Sequence, residues 1–214
     1  MIPARPKPII FSGPMVRAIL ADCKTQTRRV VKPQPSSPTA SPVELEQGFI
    51  RNKGRNWAPI RCPWKQGDRP WVRETFVLER IEDDSQLPDK LSSVVHLGSE
   101  DEHWLIPHYR ATEPEPHIVP FDLEDSYDDR TRWSPAIFMP RWASRICLEV
   151  TGIRVERLQD ITTEACLAEG VLGLSEFEAL WNEINGKRSC YDWCSNPWVW
   201  VVSFKVLGRP EEAS

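Results

Sequence analysis

Residues 22–31 read DCKTQTRRVV, a polar loop that turns into a strand at its apolar end. Three cationic side chains, Lys24, Arg28 and Arg29, surround the hydroxyl of Thr27. In a turn, an amine three residues from a hydroxyl can come within hydrogen-bond reach. Partial burial would lower the lysine pKa, so that Lys24 could act as a base for Thr27. The alternative interpretation is a solvated basic loop in which Thr27 caps the backbone.

The segments on either side of this loop predict a strand, a helix and a linker. Residues 8–11 read as a short strand, and Pro14 suits the first turn of a helix over about 14–22. Residues 33–43 contain four Pro and three Ser, which is typical of a surface linker or mobile loop. The loop at 22–31 is therefore expected to connect a helix to a strand.

The C-terminal third has the most regular pattern. In order, it predicts a strand at 145–155, a helix from about 162 to 169, a helix at 176–184 and a closing strand at 198–207. The first helix has Thr162 or Asp160 as its N-cap and Gly170 where a C-cap is expected, and Ser175 is expected to cap the second. The closing strand is almost continuously apolar, as a buried barrel strand would be.

Another strand pattern follows the turn at Gly67-Asp68 and covers residues 70–78, which alternate like a half-buried strand. Residues 79–130 are acidic and interrupted by Pro, so we expect a loop-rich insertion there. The element order predicts an α+β fold in which the strands close as a small β-barrel flanked by short helices. A length of 214 residues suits one domain with an insertion or two very small domains, and we expect a single domain, 1–214, that carries this insertion.

The charge is unevenly distributed along the chain. The net charge of −4 argues against a strongly basic nucleic-acid binder. Residues 1–75, however, contain 14 Lys and Arg against 5 Asp and Glu, whereas residues 76–130 contain 4 against 15. A basic face could therefore attract phosphate on an acidic protein. Alternatively, the two blocks pair with each other across the fold.

The composition also bears on compartment and cofactors. The sequence has no apolar run of the roughly 18 residues that a membrane span needs, so no membrane partner is expected. Six cysteines at irregular spacings favour reduced thiols in a cytoplasm. Cys190 and Cys194 do not have zinc-motif spacing, and the four His lie far from them in the insertion. We expect neither a metal nor a cofactor.

Residues 22–29 resemble the G-x-K-x-x-T-x-R signature of the ASCH family, although Asp22 stands where the family has Gly. Further resemblances follow in order: GD at 67–68 with WVR at 71–73, LEVT at 148–151, the segment 158–170 and VWVVSFK at 199–205. Together they cover about 9–32, 66–78 and 140–207. The longer stretches FSGPMVRAIL at 11–20 and PRWASR at 140–145 are similar to ASCH proteins carried by bacteriophages and prophages. The resemblance implies a PUA-like β-barrel.

Some small bacterial ASCH proteins are amidohydrolases that remove the acetyl group of N4-acetylcytidine. Their catalytic Lys, Thr and Glu correspond by resemblance to Lys24, Thr27 and Glu169. The implied chemistry is acyl transfer, in which Thr27 attacks the amide carbonyl and Lys24 takes its proton. Glu169 then protonates the leaving amine or positions water. The alternative for Glu169 is a solvated residue in the last turn of a helix.

Arg28, Arg29, Trp71, Arg73 and Glu74 are the candidate residues for binding a nucleic acid or nucleoside. Trp71 and Arg73 share a face of a strand by period two, so they could stack a base and hold a phosphate. The alternative is a surface ion pair on a strand.

Three functions remain open: an amidohydrolase of an acylated cytidine, a non-catalytic RNA-binding module, and a ribonuclease, an activity also found among ASCH proteins. The insertion at 79–130 could cap the cleft, repel or mimic nucleic acid, or dock a protein partner. The oligomeric state is left open by the sequence.

Overall fold

A computed structural model describes residues 7–39, 42–52, 59–81, 95–97, 103–116, 132–188 and 190–208. Its strands are β1 (Pro8–Ile10), β2 (Gln26–Val30), β3 (Pro38–Thr39), β4 (Phe49–Asn52), β5 (Pro59–Arg61), β6 (Trp71–Arg73), β7 (Phe76–Ile81), β8 (Val95–Leu97), β9 (His103–Tyr109), β10 (Cys147–Arg157) and β11 (Trp198–Gly208). Its helices are α1 (Gly13–Leu20), α2 (Pro42–Glu46), α3 (Thr163–Ala168) and α4 (Leu174–Asn185). The predicted α+β class is confirmed, with several multi-stranded sheets and few helices.

The chain divides into two compact units, and the first comprises Met1–Lys7, Ala18–Pro70 and Leu148–Val206. In this unit β10, β11 and β2 are hydrogen-bonded neighbours in that order, and β2 runs antiparallel to β11. A second small sheet has the order β3-β4-β5.

Helices α3 and α4 pack on the first of these sheets through a single apolar cluster. Its buried members are Leu158, Ile161, Cys166, Val171, Phe177, Trp181, Val199 and Val201. The cluster includes alternate residues of β11, because successive side chains of a strand point to opposite faces. This packing fixes the end of α3 beside the start of β2.

The second unit comprises Pro8–Arg17, Trp71–Cys147 and Leu207–Ser214. Here β1 pairs in parallel with β6, and Cys147 at the start of β10 pairs with Trp71. Strands β7, β9 and β8 form an antiparallel sheet in that order. Phe76, Met139 and Ala143 form a buried apolar cluster in this unit.

The strand predicted over 70–78 is two strands, because the chain changes partner at Glu74-Thr75. Strand β6 pairs with β1, whereas β7 pairs with β9. Glu74 is buried at the break, at 1% exposure. The alternating pattern continues across such a break, so it does not reveal the change of partner.

The described part of 79–130 contains more strand than the loop-rich prediction implies. Strands β8 and β9 lie within this segment, and β9 pairs with β7 over six residue pairs from Phe76↔Tyr109 to Ile81↔Trp104. The sequence of β9, HWLIPHY, contains aromatic and aliphatic residues that suit a pleated, half-buried surface. Residues 82–94, 98–102 and 117–130 of the predicted insertion lie outside the described residues.

Helix boundaries are close to the predicted ones, with one cap assigned wrongly. Thr162 caps α3, since its hydroxyl accepts a hydrogen bond from the Ala165 N–H at 3.2 Å. Helix α4 begins one residue before Ser175, with Gly173 at the N-cap and no side-chain cap. Within the described residues, no helix combines the length and the apolar character that crossing a bilayer requires.

Candidate active site

Lys24 lies where the chain leaves α1 and enters β2, and its position is fixed by backbone hydrogen bonds within the first unit. The amides of Cys23 and Lys24 both donate to the Ala18 carbonyl, at 2.9 and 3.1 Å. Asp22 has a φ of 55°, in the left-handed region where Gly is favoured and Asp is tolerated. The signature that residues 22–29 resemble has Gly at this position, and Asp22 adopts a conformation that Gly favours.

A buried ion pair joins Lys24 to Glu169. The Lys24 Nζ donates to Glu169 Oε2 at 2.7 Å and to the Glu169 backbone carbonyl at 2.7 Å. The Lys24 side chain is 0% exposed and the Glu169 side chain 4%. A backbone bridge also connects the two residues. A charge with so little access to water needs a partner of this kind, since an unpaired buried charge is costly.

Arg28 binds the other oxygen of the same carboxylate. Its Nη1 donates to Glu169 Oε1 at 3.0 Å, and its guanidinium carbon lies 5.7 Å from the centre of the Phe177 ring. Both Glu169 oxygens are therefore held by cations, one from Lys24 and one from Arg28. Such bidentate use fixes the orientation of the carboxylate.

Two further residues extend the network. The Arg28 Nε donates to Glu156 Oε1 at 3.0 Å, and Arg28 Nη2 forms a short ion pair with the same oxygen. The Arg154 Nε donates to Glu156 Oε2 at 3.0 Å. Sequence reasoning missed Arg154 and Glu156. Their alternation on a strand was the only available signal, and an alternating charged pair is more typical of a solvated strand face.

Burial and charge act in opposite directions on Lys24. Loss of hydration lowers the pKa of Lys24 from its usual value of 10.5, and this is the largest effect. The carboxylate of Glu169 raises the pKa, whereas the positive charges of Arg29 and Arg28 lower it. Burial also lowers the pKa of Arg29. A lysine whose ammonium form is disfavoured in this way is suited to act as a base.

The C-terminus of α3 presents Glu169 to Lys24 through a Schellman motif. The Gly170 N–H donates to the Leu167 carbonyl at 2.9 Å, and the Val171 N–H donates to the Cys166 carbonyl at 3.1 Å. Gly170 has a φ of 81°, which confirms it as the residue that ends the helix. A Cβ added there would lie 2.7 Å from the Ala18 Cβ and 3.2 Å from the Lys24 Cβ.

Replacing Gly170 by Ala should therefore destabilise the protein by at least about 1–2 kcal/mol, because the left-handed conformation and the close approach to Ala18 both disfavour a Cβ. Urea unfolding would measure the change. Gly152→Ala is the matched control, since its Cβ would meet nothing within 4 Å. Equal effects of the two substitutions would show that the approach of Gly170 to Ala18 is not tight.

Thr27 is buried but does not join the ion-pair network. It pairs with Val202 across the strands, while its neighbour Arg28 pairs with Val201. Cross-strand partners share a face, so Thr27 and Arg28 lie on opposite faces of β2. Among the described residues, the Thr27 hydroxyl has no hydrogen-bond partner. Of the three candidate catalytic residues, the structure brings Lys24 and Glu169 into direct contact, whereas Thr27 lies three residues after Lys24 in the chain and outside this contact.

The other candidate binding residues belong to the second unit. The Arg73 guanidinium carbon lies 4.8 Å from the centre of the Trp71 ring, which confirms that the two side chains share a face. Glu74 accepts hydrogen bonds from Arg145 Nε and Nη2, both at 2.9 Å. Both Glu74 oxygens are thus engaged, and Trp71 is only 5% exposed. A role for these residues in nucleoside binding stays a prediction.

Within the described residues, no group of three or more His, Cys, Asp or Glu side chains is arranged to hold a metal ion. All six cysteines are described, and none forms a disulfide. In comparisons with known proteins, no family model, no curated protein and no solved structure matches this chain.

Proposed function

We propose that the chain is an ASCH-type domain with a PUA-like barrel, and that its site binds an N4-acylated cytidine, free or in a nucleic acid, and hydrolyses the amide. The observation that supports this proposal is the buried pair of Lys24 and Glu169, whose Nζ and Oε2 lie 2.7 Å apart. An ion pair so far removed from water is unusual for a solvated basic loop, and clusters of this kind occur preferentially at functional sites.

The pair can supply both proton transfers that amide cleavage needs. In its uncharged form, the Lys24 amine takes the proton of Thr27 while the Thr27 Oγ1 bonds to the acyl carbon. The carbon–nitrogen bond then breaks as the Glu169 carboxyl gives its proton to the leaving amine of cytidine. This step leaves Lys24 and Glu169 as the charged pair and the acyl group as an ester on Thr27.

The second half of the reaction restores the starting state. Water attacks the ester and gives a proton to the Glu169 carboxylate. The Lys24 ammonium returns its proton to the Thr27 oxygen, and the carboxylic acid is released. Arg28 holds the Glu169 carboxylate through Oε1, the oxygen that Lys24 does not bind.

A non-catalytic binding site is the second candidate, and one observation favours it. Glu169 is already bound by Lys24 and Arg28 on both oxygens, while the pleat of β2 directs Thr27 to the face opposite Arg28. In that case the network would only shape a cationic pocket, and Arg29 and Thr27 would contact the ligand without chemistry.

Trapping the acyl intermediate tests the proposal. Purified protein is incubated with N4-acetylcytidine in increasing hydroxylamine, and cytidine, acetate and acetohydroxamate are quantified by chromatography. An ester on Thr27 predicts cytidine release with acetohydroxamate replacing acetate as hydroxylamine rises. A control with hydroxylamine and no protein measures the uncatalysed formation of acetohydroxamate. If the protein releases cytidine but forms no acetohydroxamate beyond that control, the result would argue against Thr27 as the nucleophile. No cytidine release at all would leave only the binding function.

The rising limb of the pH–rate profile should report formation of the Lys24 amine, which is the base. Burial lowers the pKa of Lys24 from 10.5, so the rise is expected at a lower pH than for an exposed lysine. Arg29→Gln removes a positive charge that lowers this pKa, so the rise should move to higher pH. Profiles of kcat between about pH 6 and 10 measure both effects. A shift to lower pH in Arg29→Gln would contradict the assignment of Lys24 as the base.

A further inference from the structure

The end of β2 that follows Val30 carries a second group of cationic and aromatic side chains, all within the first unit. We call Lys32, Arg157, Tyr191 and Trp198 the strand-end cluster. The Val31 N–H donates to the Trp198 carbonyl at 3.0 Å, and the Leu158 N–H donates to the Pro197 carbonyl at 3.0 Å. These two bonds bring the end of β2, the end of β10 and the start of β11 together.

Each cation of the cluster lies over an aromatic ring. The Lys32 Nζ lies 5.5 Å from the centre of the Tyr191 ring, and the Arg157 guanidinium carbon lies 4.4 Å from the centre of the Trp198 ring. Arg157 Nη1 also donates to the Asn196 carbonyl at 2.9 Å. Cation–ring contacts and one backbone bond therefore orient the charges without neutralising them.

Neither cation has an acidic partner in the part of the chain that the structure describes. Three other cations of the same unit do have acidic partners: Arg51 pairs with Glu44, Arg154 with Glu156, and Lys205 with Glu149. Asp192, in the same loop as Tyr191, accepts hydrogen bonds from the Ser195 N–H and hydroxyl. Two oriented cations without an acidic partner among the described residues, on a protein with a net charge of −4, point to an anionic ligand.

The loop that carries Tyr191 is held by side-chain bonds to backbone atoms. Asn182 Oδ1 accepts from the Trp193 N–H at 2.9 Å, and Trp181 Nε1 donates to the Tyr191 carbonyl at 2.8 Å. On the β2 side, Gln34 Oε1 accepts from the Trp198 N–H at 2.7 Å. The rings and cations are thus preorganised, which reduces the entropy that a ligand must overcome.

We propose that the strand-end cluster binds the phosphodiester backbone of a single-stranded nucleic acid whose modified base occupies the site at Lys24. This inference rests on the proposed function and narrows its substrate from a free nucleoside to a strand. Lys24 and Lys32 are eight residues apart, or at most about 26 Å along an extended chain, a span that several nucleotides can cover. Basic side chains interleaved with aromatic rings are typical of single-strand binding.

Salt-dependent binding of unmodified strands tests the inference. Fluorescence anisotropy is measured with single-stranded RNA and DNA of about ten nucleotides at about 50–200 mM salt. We expect binding whose logarithmic salt slope falls by about 0.7 in Lys32→Gln and by about 1.4 in Lys32→Gln/Arg157→Gln, one increment for each phosphate that the variant no longer neutralises. Tighter binding of RNA than of DNA would indicate a hydrogen bond to the 2′-hydroxyl, whereas equal binding would indicate recognition of the phosphodiester backbone alone.

Lys205→Gln is the matched control, because it removes the same charge from a lysine of this unit that is already paired with Glu149. Its salt slope should equal that of the wild type. A wild type that binds neither strand, or variants at Lys32 with an unchanged slope, would overturn the inference and favour a protein ligand. Thermal melting of Lys32→Gln, an exposed position, checks that the weaker binding is not due to unfolding. Because the strands carry no acyl group, this outcome is independent of whether the protein hydrolyses N4-acetylcytidine.

Discussion

Thr27→Val should lose hydrolysis of N4-acetylcytidine by at least about a thousandfold, because valine keeps the shape of threonine but has no oxygen to attack the amide. Thr27 is 3% exposed, and its hydroxyl has no partner among the described residues. Valine therefore leaves no other group unsatisfied, and the melting temperature should change little. Steady-state release of cytidine, followed by chromatography, measures the loss.

Thr27→Ser is the matched control, since it keeps the hydroxyl and loses only a methyl group. It should retain most of the turnover. The dissociation constant of N4-acetylcytidine for Thr27→Val, measured by calorimetry, should stay within a few-fold of the wild-type value measured under conditions of slow turnover. Full activity in Thr27→Val would show that the attacking oxygen belongs to another group or to water.

Glu169→Ala should lower the free energy of unfolding by about 3–5 kcal/mol, because it leaves the Lys24 charge buried without its carboxylate. Lys24 Nζ would lose the carboxylate and keep its bond to the backbone carbonyl of residue 169, now at 2.7 Å. Arg28 would keep its bonds to Glu156, so the loss should come chiefly from Lys24. Urea unfolding of the purified variant measures the change.

A double-mutant cycle separates the pair from its surroundings. Lys24→Met/Glu169→Ala removes both charges and places an apolar chain in the buried site, so it should be more stable than Glu169→Ala alone. The coupling between the two positions should be favourable and larger than the experimental error. Additive losses would mean that Lys24 and Glu169 do not stabilise each other in solution.

The local elements were predictable because their signals lie within a few residues of one another. Gly170 ends α3 with a φ of 81°, and Thr162 begins it with a side-chain cap, as their residue types indicate. Serine is an equally good capping residue, but α4 begins at Leu174, one residue before Ser175. Residue type alone therefore places a helix end only to within a residue or two.

The site was only partly predictable. Lys24 and Glu169 lie 145 residues apart, so no local spacing connects them, and only the resemblance to ASCH proteins placed them together. Glu156 gave only the signal of alternation on a strand, which does not reveal a buried partner, since a charged residue on a strand usually faces solvent. It is half-buried here because Arg28, from another strand, requires a partner. Long-range charge pairing is decided by topology, which a single sequence does not reveal.

The strand-end cluster also depends on long-range contacts that the sequence does not reveal. Lys32, Arg157 and Tyr191 lie in three separate segments, and none has a motif around it. Their proximity depends on hydrogen bonds that join three strand ends, including the 3.0 Å bond from Val31 to Trp198. The basic bias of residues 1–75 indicated a cationic surface but not where it lies.

The decisive measurement is release of cytidine from N4-acetylcytidine by the wild-type protein, with Lys24→Ala and Thr27→Val assayed in parallel. Acyl transfer at this site predicts turnover by the wild type and its disappearance in both variants, with Thr27→Val still folded. A wild type that leaves N4-acetylcytidine intact, or a Thr27→Val variant as active as the wild type, would contradict the proposed chemistry.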